Sequence, residues 1–512
     1  MPDDRNCYLV SFDTDRIQEY VFATDKLREV RGASYLLDKL NRELSWKEVQ
    51  TLCSEQVFFA GGAGAVLTSS PEHAAAVILA IEALYRREAF TASITGVSVP
   101  LAPATRTNGF GKRMELAALR LREKKDHKAR RTLATIEPYT QTCTACERYP
   151  ATRVSPVDQR PVCDSCHTKR ETARKHRSKQ AEESAEAQLA EELNDLGELS
   201  RPPGYIGFIY ADGNNMGSSL EQLQSMEDYR TYSFKLNELI ESSVDGSLQK
   251  HSARNGILPY EKLLVGGDDL MLVTTGDIAL PVALDIAEAF QNGSPNLPKA
   301  VNRPDDTPHT MGVSVVLAHA NFPIAAFLRL AKQLLKNAKR RCAEKEYKTS
   351  AIDFMVVTAS GSSDVKTHRE EVLSQESFAY PHIDRLARLT QRPYTLPEAK
   401  NLLRHLQKFK RENFPRSQLQ FLHEGLFHSY YEAFYRWCKV AGRARKEHRN
   451  LMIDFHREFS GLNGVPPWRS GIIRWGKNAG KQGYTSALGD LIEVYPFAQA
   501  AGKENTHAVS ND

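Results

Sequence analysis

Two adjacent carboxylates, Asp268 and Asp269, sit inside "LLVGGDDLMLV" (263–273), at the join of two apolar runs. Each run is short, carries branched residues and suits a core strand. The glycine pair between them, Gly266 and Gly267, supplies the positive φ angles that a tight turn between paired strands requires. The acids then start the outgoing strand at its open end. A third carboxylate, Asp212, ends another apolar strand in "GYIGFIYADGNNMGSSL" (204–220), and antiparallel pairing would bring it beside Asp268. Carboxylates that close raise one another's pKa and cannot all stay ionised without a cation. Mg2+ or Mn2+, bound through oxygen, resolves the conflict. Two such metals would clamp the attacking and leaving oxygens of an in-line phosphoryl displacement. Asp212, Asp268 and Asp269 are therefore the candidate catalytic residues and metal ligands.

Such chemistry needs a nucleotide held beside the acids. The turn Gly213, Asn214, Asn215, Gly217, Ser218 and Ser219 offers backbone N–H groups to phosphates at a helix N-terminus. The two serines enter as base contacts by proximity alone. "LAKQLLKNAKR" (330–340) carries Lys332, Lys336 and Lys339 at spacings of four and three, which partly share a helix face. Lys336 and Lys339, with Gly266 and Gly267, complete the candidate nucleotide site. Alone, "GGDD" is a weak match. The joint pattern of strand, acid, glycine turn, paired acids and closing lysine helix is far more specific.

A second chemistry is encoded by "CTAC" (143–146) and "CDSC" (163–166), a C-x2-C, x16, C-x2-C pattern. Cys143, Cys146, Cys163 and Cys166 can close a tetrahedral Zn2+ site with no open position, so the site is structural. Cys7, Cys53, Cys342 and Cys438 are isolated and read as buried small hydrophobes.

The elements that position these groups occur twice. "CYLVSFDTDRIQEYV" opens the first half with a strand ending in Asp13 and Asp15, as the Asp212 strand opens the second. "GASYLLDKLNREL" and "YSFKLNELIESSV" follow as helices. "QVFFAGGAGAVLTS" (56–69) then answers "KLLVGGDDLMLVTT" (262–275), and "ITGVSVPLA" answers "MGVSVVLAH", each before a lysine-rich helix. Strand, helices, hairpin, strand, helix is an α+β arrangement on a largely antiparallel sheet. At this length the repeat is a duplicated domain rather than a solenoid. Where the second copy reads "GGDD" the first reads "GGAG", so one copy is expected to be active and the other inactive.

The expected domains are a first, degenerate ferredoxin-like, cyclase-type palm (1–135), a zinc ribbon (136–175), a charged helical linker (176–203), an active second palm (204–360) and a C-terminal helical bundle (361–512). The linker, Ala/Glu-rich with interleaved charges, is expected to be one exposed helix ending near Leu196, before Gly197 and Pro202–Pro203. In the last region "IDRLARLT", "EAKNLLRHLQKFK" and "LHEGLFHSYYEAFYRWCKVAG" show the spacing of amphipathic helices, and "GKENTHAVSND" reads as a frayed tail.

With 512 residues, 41% hydrophobic and 26% charged, the chain fits a globular protein of several domains. No run of about 18 apolar residues suggests a membrane span, and the acidic opening is unlike a signal peptide. A cytoplasmic location fits the few, clustered cysteines. A net charge of +5 is mild, and the runs "KKDHKARR" (124–131) and "GRARKEHR" (442–449) read first as solvated faces.

Taken together, the "GGAG" palm, four-cysteine ribbon, "DGNNMG" and "GGDD" palm and helical C-terminus resemble the large subunit of type III CRISPR effector complexes, the CRISPR polymerase family. "RGASYLLDKLNREL" also looks like that family. The resemblance covers nearly the whole chain. It implies a nucleotide cyclase-like palm that joins ATP into cyclic oligoadenylate, the 3′-hydroxyl of one ATP attacking the α-phosphate of another. It implies Asp212 and Asp268 as metal ligands, Asp269 in support of metal or hydroxyl activation, and Lys339 as a triphosphate contact. It further implies partner subunits with a guide RNA and a target RNA. Many members begin with a His-Asp nuclease domain. No His-Asp pair occurs here, so DNA cleavage is expected to be absent. The rival expectations are a freestanding cyclase that makes a mono- or dinucleotide, and a scaffold that only binds RNA or protein. The intact carboxylate set disfavours the scaffold, because packed acids without a metal are costly. A template-directed polymerase would need finger and thumb segments that the sequence does not offer.

Overall fold

A computed structural model describes residues 7–128, 139–155, 157–183, 187–297, 308–358, 364–376, 386–428, 430–460, 474–478 and 481–499. The expected boundaries at 135/136 and 360/361 and the C-terminal tail lie outside these residues.

The first unit begins with β1 (Cys7–Asp15), α1 (Ile17–Val21), α2 (Leu27–Lys39, continuing as a wide turn to Leu44) and α3 (Ser45–Val49). It continues with β2 (Glu55–Ala60), β3 (Ala63–Thr68), α4 (Pro71–Ala89), β4 (Ser93–Leu101) and α5 (Phe110–His127). The sheet order is β2-β3-β1-β4, antiparallel throughout. The ribbon contributes a two-stranded ladder, β5 (Arg153–Val154) and β6 (Pro161–Val162), and leads into α6 (Asp164–Glu183) and α7 (Leu193–Leu199).

The second unit repeats the first: β7 (Tyr205–Gly213), α8 (Met216–Glu221), α9 (Met226–Leu248), β8 (Tyr260–Gly266), β9 (Asp269–Thr275), α10 (Gly276–Gly293), β10 (Met311–His319) and α11 (Ile324–Glu344). Its strands run β10-β7-β9-β8, the same order as β4-β1-β3-β2, with β11 (Ala351–Val356) added in parallel beside β10. These are two ferredoxin-like palms. One element differs from expectation: a helix, α4 or α10, stands between hairpin and last strand in each copy. For α4 the signal is in the sequence, Ser70 accepting from the His73 N–H with Pro71 in the first turn.

The linker also differs. It is not one helix ending near Leu196. α6 starts inside the ribbon at Asp164, and a separate α7 runs through Gly197 to Leu199. In the C-terminal region come α12 (Val365–Thr367), β12 (Ser374–Glu376), β13 (Leu386–Arg388), β14 (Tyr394–Thr395), α13 (Leu396–Arg411), α14 (Arg416–Leu426), α15 (Tyr430–Arg443), α16 (Lys446–Ser460), β15 (Arg474–Asn478), β16 (Lys481–Thr485) and α17 (Leu488–Val494). The helices pack as expected, but the described part of "IDRLARLT" is a strand of a sheet ordered β12-β13-β16-β15. Strand pairing there overrides a local helical spacing. Of the isolated cysteines, Cys7 and Cys342 are buried while Cys53 is half-buried and Cys438 exposed. No helix among the described residues is long and apolar enough to cross a membrane.

The palms pack face to face with pseudo-twofold reciprocity. Helices α2 and α4 cover the face of the first sheet that carries Val10 and Phe12, while α9 and α10 cover the Ile209 and Ala211 face of the second. The opposite face of each sheet receives its own closing helix and part of the other palm. Arg31 of α2 makes a double contact with Glu261 of β8 at 2.7 Å, and Arg230 of α9 contacts Glu55 of β2 at 2.6 Å. The first pair is buried at 5% and 3% side-chain exposure, the second open at 32% and 36%. Removing one partner of a buried pair strands the other charge, whereas exposed pairs contribute little. Arg31→Met should cost about 3–5 kcal/mol in denaturant unfolding, and Arg230→Met less than about 1 kcal/mol.

Candidate active site

The β8–β9 hairpin closes on the pair Gly266↔Asp269, with Gly267 (φ 65°) and Asp268 forming the turn. On the other side of β9, Asp269 stands directly opposite Asp212 of β7. Asp269, not Asp268, is therefore the cross-strand partner of Asp212. Asp268 is drawn in by its carbonyl, which accepts from the Gly213 N–H at 3.2 Å. Lys339 of α11 puts its ammonium against the Asp212 carboxylate and donates to the Gly213 carbonyl at 3.3 Å.

Three acids thus share one lysine. Burial, then the Asp212 charge, pushes the Asp268 carboxyl up to about 6. Burial, Asp212 and Asp268 push Asp269 up to about 7, against the opposing pull of Lys339. The set is short of positive charge and consists of hard oxygen donors, which fits a divalent Mg2+ or Mn2+.

The other expected residues divide. Asn214 is buried, its amide donating to the Thr310 hydroxyl at 3.0 Å, so it pins the turn rather than facing an open site. Asn215 (φ 58°) caps α8, and its carbonyl accepts from Ser218 at 3.1 Å and Ser219 at 3.4 Å. Ser218 is exposed, Ser219 buried, and the space around Gly217 is open. Lys332 and Lys336 are exposed, and of the three helix lysines it is Lys339 that reaches the acids.

Several neighbours went unforeseen. Tyr210, two residues before Asp212 and on the same strand face, meets Asp269 and accepts from Gln18 of the first palm at 3.0 Å. Strand alternation could have pointed to Tyr210; nothing local points to Gln18. α8 is docked on α5, where the N–H groups of Phe110 and Gly111 donate to Gln224 and Leu223 at 2.9 Å. A Cβ on Gly61 would lie 2.7 Å from the Gly267 nitrogen, so the glycine turns of the two palms touch.

In the first palm the matching charges are already neutralised. Lys125 contacts Asp13 at 2.7 Å and Lys128 contacts Asp15 at 2.7 Å. Burial acts to raise the Asp15 carboxyl, but Lys128, Ser93 and Thr95 together hold it below its ordinary value. Asp13 faces Ala63 as Asp212 faces Asp269, and Ala60 pairs with Ala63 as Gly266 pairs with Asp269. Structurally, then, "AGGA" (60–63) answers "GGDD", one residue out of step with the letter match of "GGAG". Gly62 and Ala63 stand where Asp268 and Asp269 stand, so the hairpin carries no acid in either alignment.

Cys143, Cys146, Cys163 and Cys166 are buried free thiols whose sulfurs lie within 4.8 Å of one another. Beside them the buried Lys169 donates to the Tyr20 carbonyl at 2.6 Å and covers the Tyr20 ring at 3.9 Å.

Fold and site define a double-palm protein in which one copy bears the acids. Residues 205–348 match the family model of the Cas10/Cmr2 second palm domain. The chain also resembles the Csm1–Csm4 cassette in complex with cA4, with TM-score 0.55 and 13% identity over 97% of this chain and 70% of that one. The apo cassette aligns at TM-score 0.46 and 16% identity over 66% of this chain, and the cassette with one ATP at 0.46 and 14% over 67%. In those two matches the chain spans about half of the solved chain, 53% and 55%. At such identities the likeness is one of fold. No curated protein matches the chain. The segment 205–348 is therefore a palm of the Cas10/Cmr2 type, set in a chain that folds as two palms.

Both raised carboxyls make the folded chain hold more protons than the unfolded one between about pH 4 and 7. Their stabilising contribution is present below about pH 4 and lost as pH rises through 6 to 7. In chelator, Asp269→Asn should raise the thermal midpoint at about pH 8 and leave it unchanged near pH 4.

Proposed function

We propose that the second palm joins ATP molecules through 3′-hydroxyl attack on an α-phosphate, releasing pyrophosphate and yielding cyclic oligoadenylate. The observation that carries this is the convergence of Asp212, Asp268 and Asp269 on one lysine, in a palm whose twin has its acids paired off by lysines. Asp212, Asp268 and Asp269 would hold two Mg2+ or Mn2+ ions, which when bound neutralise phosphate charge and favour the attacking and leaving oxygens. Lys339 now compensates Asp212; with that carboxylate otherwise balanced, its ammonium is free to meet the triphosphate. The open side of the Gly217–Ser218 turn offers room for the nucleotide. Domain assignments, the degenerate role of the first palm and the remaining nucleotide contacts, Gly213, Gly266, Gly267 and Lys336 among them, belong to the same reading. So do partner subunits like the Csm4 of the matched cassettes, and guide and target RNA.

Incubating the full chain with labelled ATP and Mn2+, with and without RNA-bearing partner subunits, should release pyrophosphate. Replacing Asp268 and Asp269 by Ala should abolish product while the circular dichroism spectrum is kept. Absence of pyrophosphate in every condition would overturn the proposal.

For the ribbon we propose Zn2+ held by the four thiolates, since soft donors that close in space suit it and leave no position for chemistry. The purified chain should carry about one equivalent of zinc by metal analysis. Cys163→Ser should lose it and lower the unfolding temperature.

A further inference from the structure

Tyr210 and Asp269 are diagonal neighbours on adjacent strands: Tyr210 pairs with Met271, and Asp269 lies two residues along on the same face. A phenol has one proton to give and lone pairs to accept with. One lone pair is taken by Gln18, whose side-chain amide donates to the Tyr210 hydroxyl at 3.0 Å. With its acceptor side occupied, the tyrosine is left as a donor, and the carboxylate within reach is Asp269. A bond from that hydroxyl would fix one oxygen of Asp269 and leave the other for a cation.

Gln18 comes from the first palm and is itself held. It lies in the five-residue α1, two positions from Tyr20, whose carbonyl and ring both engage the buried Lys169 of α6. The amide is thus presented from an anchored turn of backbone, not from a loose loop. Its partner Tyr210 is buried at 6% exposure and packed with Phe208 and Met271.

We propose that Gln18 is a positioning residue for the second palm's site, acting through Tyr210 to orient the Asp269 carboxylate for metal binding. This rests on the nucleotidyl-transfer reading of the site, but not on its product. Residues that orient a metal ligand typically change metal affinity or activity by about 10–100-fold when removed.

The test uses the full, zinc-loaded chain, with Mn2+ binding followed by electron paramagnetic resonance and Asp269→Asn defining the signal from this site. Gln18→Met keeps length without hydrogen bonding; Gln18→Glu keeps shape but can only accept. Each should weaken Mn2+ binding about tenfold or more, as should Tyr210→Phe. Gln18→Met combined with Tyr210→Phe should be no worse than Tyr210→Phe alone, because the two act in series. With ATP, kcat should fall while KM stays near its original value. A Gln18→Met chain that binds Mn2+ like the unsubstituted one, full recovery by Gln18→Glu, or independent addition of the two effects would overturn the inference. No Mn2+ binding by the unsubstituted chain would overturn both it and the proposed function. Gln18-dependent Mn2+ binding without pyrophosphate release in any condition would sink the proposed function alone.

Discussion

Arg31 and Glu261 join the two palms in a place from which water is excluded. Taking both charges out of water is expensive, and the return comes from double-contact geometry and a further bond from Arg31 to the Ala190 carbonyl. Burial still pushes the Glu261 carboxyl up despite the guanidinium beside it. Such a pair is better understood as fixing an arrangement than as a net source of stability. What it fixes is β8, which ends five residues later in the glycine turn that carries Asp268. Gly32, next to Arg31, secures the other side of α2: a Cβ there would lie 1.8 Å from the Lys169 carbonyl. Ribbon helix, first palm and acid hairpin are therefore registered through one short stretch of α2.

Charge balance then separates two copies of one fold. The first palm sets two acids, Asp13 and Asp15, against two lysines, Lys125 and Lys128, and the account closes. The second sets three acids against Lys339. Lys125 and Lys339 are each the sixteenth residue of their helix, so the lysine is the part the two palms share. The difference arises at the hairpin, where Gly62 and Ala63 stand in for Asp268 and Asp269. Two side chains thus decide which sheet face repels itself and attracts a cation, and which is electrically finished.

Much of this was legible in the sequence because it is local. Strand, glycine turn and acids lie within eleven letters, and the cysteine spacing constrains its own geometry. Duplication was visible because both copies keep the same apolar runs. Four features were harder to read. The helix after each hairpin follows its strand almost without a break, and only α4 has a side-chain cap, Ser70, to mark its start. Tertiary pairing made a strand of Leu386–Arg388, where spacing alone favoured a helix. Hairpin register escaped because "GGAG" and "GGDD" align by letter, whereas the backbone aligns them by their closing pairs. Gln18, 192 residues from Tyr210, has no signature at all.

The palm's own architecture explains why a copy without hairpin acids is still required. Two helices cover one face of a ferredoxin-like sheet, but the other face receives a single closing helix. In the second palm that half-covered face carries Phe208, Tyr210, Asp212 and Asp269, so under the proposed function it must be shielded from bulk water yet open to a nucleotide. α11 shields one side and the first palm the other: Phe22 meets Phe208, Gln18 meets Tyr210, and Gly61 abuts Gly267. None of these contacts needs a carboxylate on the first hairpin. The last demands a glycine at position 61, which answers Gly267 and so is a glycine in both copies; a Cβ at Gly62, which answers Asp268, would lie 2.4 Å from the Ile17 side chain. Closeness of the two turns and acids on both are electrostatically opposed, and a duplicated fold resolves the conflict by arming one copy and letting the other form its wall.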